Sequence, residues 1–261
     1  MTPKTSLSIR ELGELIATTF RLGTKPIAVH GSDTPPGGAV FLPSIHNCLV
    51  AAMVRMSTCD APPVVYLGED KKAGCCPGGL SHTGYIRRPP AISYFVSTGN
   101  PAIPDAPAEY LKAGPELVDA CFAAAGAITP PGRYLVARTT ESVPDAFTGV
   151  RAISFFGRAE PVRNLVGQVH FDRSEPFYPV LAPWGPACAT LVTYPAGMAA
   201  NAPPDSAFLG PQDPTLNYAL PPDILGIGLP VGVAMRVAEN IGRSFISKRT
   251  EVAFPDHGKK I

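Results

Sequence analysis

The chain has 261 residues, 45% hydrophobic and 16% charged, enough apolar side chain to bury a sizeable core. A formal net charge of +1, with no run of Lys and Arg, gives no electrostatic footprint for a polyanionic partner and argues against nucleic-acid binding. The first twenty residues lack the basic-then-apolar pattern of a secretory leader, and the uncharged stretch between Glu175 and Asp205 is interrupted by Pro176, Pro179, Pro183, Pro186 and Pro195, so no membrane partner is expected and the expected location is cytoplasmic.

The elements alternate between helical and extended patterns. "SIRELGELIATTFRLG" opens with Ser8 and Glu11 at capping-box spacing, carries Leu12, Leu15, Ile16 and Phe20 on one face and stops at Gly23. "KPIAVHG" reads as a strand, "SIHNCLVAAMVRM" as a helix starting near Ser44 with Cys48 in its first turn, and "PPVVYLG" as a buried strand. "GPELVDACFAAAG" starts a helix at an early proline, "RYLVAR" and "RAISFFG" read as strands, and "AEPVRNLVGQVH" is helical. "PWGPACATLVTYP" contains a helix start at Cys188. "DILGIGLP" then reads as a strand, and "VGVAMRVAENIGRSFI" as a helix with Val233, Val237, Ile241 and Phe245 on one face. The expectation is a mixed α/β (α+β) fold, with residues 1–261 forming one compact domain. Its 31 prolines are scattered and mark no linker, and no repeat of fixed period is visible.

Nucleotide-binding glycine loops, a serine-hydrolase elbow and zinc-protease histidine spacing are all absent. The chemistry lies in the six cysteines, at positions 48, 59, 75, 76, 121 and 188. Their spread through a long chain without a leader argues against a disulfide scaffold. Cys59 and Cys121 read as packing residues, Cys121 within an alanine-rich helix. "AGCCPGGLSHTGY" is different. Its glycines permit tight turns and let backbone N–H groups approach a sulfur, which a core cysteine does not need but an iron–sulfur ligand does. Cys48 and Cys188 stand near helix starts, where the helix dipole favours a thiolate. Neighbours on an extended backbone point in opposite directions, so one of Cys75 and Cys76 is expected to face the site and the other away.

At these stretches the chain resembles the uncharacterised domain-of-unknown-function family 169 of archaea and anaerobic bacteria. The likeness runs in order through "TKPIAVHG", "CLVAAM", "GCCPGGLSHTGY", "ISYFVSTGNPAIPDAPAEYLKAGPELV", "AISFFGRAEPVRNLVGQVHFD", "LAPWGPACATLVTYP" and "LPPDILGIGLPVGVAMRVAENIGRSFI". The family's cysteine-x-Gly-Gly pattern makes Cys76 the matching residue, with Cys75 where glycine is commoner. The resemblance implies which positions matter and carries no activity.

Three readings of the site stand open. In one, Cys48, Cys76 and Cys188 ligate a four-iron four-sulfur cluster with one iron open to a small ligand, Cys75 being a spare thiol or fourth ligand; the protein is then an iron–sulfur enzyme or sensor, served by a small molecule or a redox partner. In another, the pocket binds a small metabolite without metal. In the last, Cys48, Cys76 and Cys188 with His46 or His82 hold a single metal ion. A common site requires the three sulfurs to stand within roughly 7 Å of one another.

Overall fold

In β1 (Ile27–Ser32) successive side chains serve two different cores: Ile27 and Val29 pack into one buried cluster, and Ala28 between them packs into another. β5 (Val150–Arg158) does the same, with Ala152 and Phe156 facing the first cluster and Ile153 and Phe155 the second. This period-two alternation between apolar partners on both sides makes a sheet covered on both faces. The computed structural model describes residues 7–41, 48–58, 62–68 and 75–248.

On the second face lie α1 (Ile9–Thr19), α6 (Ala159–His170) and α7 (Val231–Asn240), contributing Leu12, Ile16, Val162, Leu165, Val233 and Val237. The expected capping box is present: Glu11 N–H donates to Ser8 Oγ at 3.3 Å, and Ser8 N–H donates to Glu11 Oε2 at 2.8 Å. Such a cap stabilises a helix by about 1 kcal/mol. The last helical pattern divides. Val233 and Val237 share α7, whereas Ile241 starts a 3₁₀ turn and Phe245 a new short helix, α8 (Phe245–Lys248), because Asn240 and Gly242 are poor helix formers.

The first face carries α2 (Leu49–Ser57), α3 (Pro77–His82) and a π-helical turn, Ala189–Thr193. Beyond it stand α4 (Ala91–Val96) and α5 (Pro115–Ala125). The remaining strands are β2 (Val40–Phe41), β3 (Val64–Gly68), β4 (Tyr134–Thr139), β6 (Val180–Leu181), β7 (Ala207–Gly210) and β8 (Ile224–Pro230). Together these elements form one α/β domain around one mixed sheet.

Among the described residues, eight strands run in the order β2-β3-β4-β1-β5-β8-β7-β6. Read outward from the antiparallel β1–β5 pair, each half places its first strand innermost, then its fourth, third and second. Directions match as well. The inner pairs β1–β4 and β5–β8 and the middle pairs β3–β4 and β7–β8 are antiparallel, and the outer pairs β2–β3 and β6–β7 are parallel. A two-fold axis through the β1–β5 pair would produce this arrangement. The sequence shows no periodic repeat, yet the sheet is two four-stranded halves of one topology.

Candidate functional site

Parallel neighbours need a crossover, and in both halves the crossover carries a cysteine. Cys48 is the N-cap of α2, between β2 and β3, one residue before the first helical turn where the sequence suggests it. Cys188 is the N-cap of the π-helical turn between β6 and β7. That turn is held to the sheet by Ser154 Oγ–H, donating to Leu191 O at 2.6 Å, and to α3 by Thr193 Oγ1–H, donating to His82 O at 2.5 Å. Single π turns often mark functional sites.

After the third strand of each half comes another N-cap followed by proline. Cys76 precedes Pro77 at the start of α3, and its sulfur accepts the Gly79 N–H at 3.2 Å. Asp213 precedes Pro214 in the 3₁₀ turn Pro214–Leu216; its Oδ1 accepts the Thr215 N–H and its Oδ2 the Ala187 N–H, each at 3.0 Å. Two matched pairs, Cys48 with Cys188 and Cys76 with Asp213, therefore line one cavity of about 740 Å³. Cys75 and His82 line it too.

Gly79 sits at the meeting point of the sulfurs. A Cβ on it would stand under 3.0 Å from Cys75 Sγ, 3.4 Å from Cys76 Sγ and 3.7 Å from Cys188 Sγ. The sulfurs of Cys75 and Cys76 thus share the Gly79 cradle and do not face opposite ways. The kink at the N-cap, where Cys76 is extended (φ −61°, ψ 156°) and Pro77 begins the helix, brings both round to one side. Cys75 is 1% exposed, while Cys76 is open toward the cavity.

The electrostatics follow from this crowding. The Cys75 thiol donates to the Cys76 sulfur, and with the Gly79 and Gly78 N–H groups it holds Cys76 down at about 6 against the cost of burial. Donating that proton, and being buried, pushes Cys75 well up. Burial first, then the negative charge of Cys76, raises Cys188; burial raises Cys48, against the pull of the Ala51 and Val50 N–H groups. Burial pushes Glu109 up to about 7, helped by the charges of Asp213 and Cys76. Its neighbour Tyr110 is held in the left-handed region (φ 54°), a strain that tends to collect at sites. His82 is driven down to about 3 by burial and Arg88, so it stays neutral.

The sequence profile of DUF169, described as Uncharacterised ArCR, matches residues 15–240. The chain belongs to this family. No curated protein and no solved structure matches it. The DUF169 span takes in all eight strands and every residue of the cavity named above.

Of the sequence-derived candidates, Cys48, Cys75, Cys76, Cys188 and His82 meet at this cavity, while His46 and Cys59 lie outside the described residues. Cys121 is on α5, outside the cavity lining and only half-buried, because α5 packs through Val118 and leaves this side partly open. Asp213 and Glu109 escaped sequence reasoning. The "DP" pair at 213–214, a cap residue followed by proline as in "CP" at 76–77, is the signal that could have found Asp213.

Proposed function

We propose that this is an iron–sulfur protein in which Cys48, Cys76 and Cys188 ligate a four-iron four-sulfur cluster and one iron is left open toward the cavity. One observation carries the reading: sulfurs from three distant stretches of chain converge on a single cavity that also holds Asp213 and, among the described residues, is lined by no Lys or Arg. Three thiolates beside a carboxylate repel one another: Cys76 and Asp213 raise both Cys48 and Cys188, and Cys48 raises Cys188 as well. A cationic metal core would relieve that repulsion, and among the described residues no protein cation lines the cavity to do so. The residues fit such a group in a second respect. Each sulfur sits at or beside a helix start, where backbone N–H groups can point at it and stabilise its charge.

The cluster would supply an iron able to take an organic ligand; the chain supplies the chamber, excludes water with its apolar walls and holds Asp213 and Glu109 near that ligand. A single ion draws its donors to about 2.0–2.3 Å. Among the described residues no group of three His, Cys, Asp or Glu side chains is arranged to hold one. Free thiols in this number suit a reducing, cytoplasmic setting.

The hydrogen bond from Cys75 to Cys76 favours a second reading, a metal-free small-molecule site in which the two form a reduced, redox-sensitive pair. Purification without oxygen separates the two. The cluster reading expects a brown protein with a broad shoulder near the visible–ultraviolet boundary and equal iron and sulfide. Cys76→Ala should lose both, and Cys75→Gly should keep them. A colourless protein, iron-free even after reconstitution, overturns it.

A further inference from the structure

The cavity continues well past the sulfurs. Its volume of about 740 Å³ far exceeds the space of a cluster only a few ångströms across and lies within the range of organic-ligand pockets. Phe95, Phe122 and Trp184 give it aromatic walls, and among the described residues its carboxyl groups are Glu109 and Asp213. Arg88 and Lys112 stand against those walls without lining the cavity: Arg88 lies 4.3 Å over the Phe122 ring and pairs with Asp119, and Lys112 Nζ lies 4.3 Å over the Trp184 ring. An anionic ligand would find no counter-charge among the described lining residues. Glu109 and Asp213 already repel each other, and a cation between them would relieve that. His82 is a separate pointer. It lines the cavity at 5% exposure, and its buried Nδ1 has no hydrogen-bond partner among the described residues.

The geometry points to an organic cation with an aromatic-sized apolar body, of the arylalkylamine class, as the ligand of this cavity, its ammonium against Glu109 and Asp213 and its body against the aromatic walls. As the substrate of an open iron this ligand rests on the iron–sulfur reading; as a bound molecule it is measured independently of it.

Trp184 is the chain's one tryptophan, so its fluorescence reports occupancy with or without iron. Anaerobically reconstituted protein and iron-free protein are each titrated with phenethylamine, 2-phenylethanol and 3-phenylpropanoate, probes of similar shape and different charge. Phenethylamine should give a saturable change, the alcohol should bind about tenfold more weakly, and the carboxylate should give none. Glu109→Gln should weaken the amine about tenfold and leave the alcohol unchanged. The inference is overturned if the carboxylate or the alcohol binds as well as the amine, if Glu109→Gln leaves the amine's affinity intact, or if no probe moves the Trp184 signal. Iron and sulfide in the same samples are read separately. Iron-free protein that binds the amine after reconstitution sinks the cluster and keeps the ligand; iron-loaded protein blind to the amine does the reverse.

Discussion

Cys48 and Cys188 hold equivalent places in the two halves of the sheet, each capping the helical segment between an outermost strand and the strand beside it. If both are ligands, Cys48→Ser and Cys188→Ser should each cut iron per chain about fivefold or more. Their costs in stability should differ. Cys188 is 4% exposed, and a serine hydroxyl left there without a partner costs about 1–3 kcal/mol; the half-buried Cys48 has water within reach. Iron analysis beside urea melts checks this. A full iron complement in either variant would return that cysteine to a packing role.

Gly79 should tolerate no side chain, whereas its neighbour Gly78 should. A Cβ at 79 would press on Cys75 Sγ, while the nearest atom to a Cβ at 78 is Cys76 Sγ at 3.9 Å, ordinary contact. Gly79→Ala is expected to destabilise the fold by about 1–3 kcal/mol through overpacking and to displace Cys75. Gly78→Ala should stay within about 0.5 kcal/mol. Thermal unfolding of the pair compares them, and equal melting temperatures would mean that the cradle is loose.

Five strands, β1, β3, β4, β5 and β8, and the first helix are legible in the sequence because they follow local rules: Ser8 and Glu11 at capping spacing, and apolar runs bounded by Pro and Gly at β3 and β8. The strands β2, β6 and β7, of two to four residues, are too short to show a pattern. The duplicated sheet is not legible, because matching strand order leaves no trace in a periodicity search when the connections differ, one half using α3, α4 and α5 between its last two strands and the other mainly the 3₁₀ turn at Pro214. At the site, glycine beside cysteine marks a stretch whose residues 75–78 line the cavity. Cys75 does not face away from Cys76, because the kink of a helix cap and not the alternation of a strand sets the two side chains. Asp213 and Glu109 come from loops, and only the folded chain shows that their charges bear on the sulfurs.

Iron-free protein should show one cysteine far more reactive than the rest. Cys76 is held at about 6, so its thiolate predominates above that pH, whereas Cys48, Cys75 and Cys188 are raised and remain thiols through neutrality. Alkylation by iodoacetamide, followed by peptide mapping, should label Cys76 with a midpoint near pH 6. Because a lowered acid stabilises the fold above its unfolded value, this contribution is full above the ordinary thiol range and is lost as pH falls through about 6. Cys75→Ala removes the donor and should move the midpoint upward. An unmoved midpoint would assign the shift to the Gly79 and Gly78 N–H groups instead.

Asp213→Asn isolates charge from capping. Asparagine caps about as well as aspartate, so the 3₁₀ turn at Pro214 should persist. Asp213 accepts from both Thr215 and Ala187, and an amide can offer only one oxygen, so the loss of one such bond should cost about 1 kcal/mol. The larger effect is on Glu109. Asp213 helps raise that carboxyl to about 7, so its removal should lower the value, though burial, the leading cause, keeps it above the ordinary range. A raised acid contributes stability that is full below its unfolded value of 4.5 and lost as pH rises through about 7. The wild-type protein should therefore lose stability across that window, and Asp213→Asn should lose less. Carboxyl ¹³C titration of Glu109 together with melts at either end of the window measures both. If Glu109 titrates identically in the two proteins, the carboxylates are not coupled, and the anionic character assigned to the cavity falls with them.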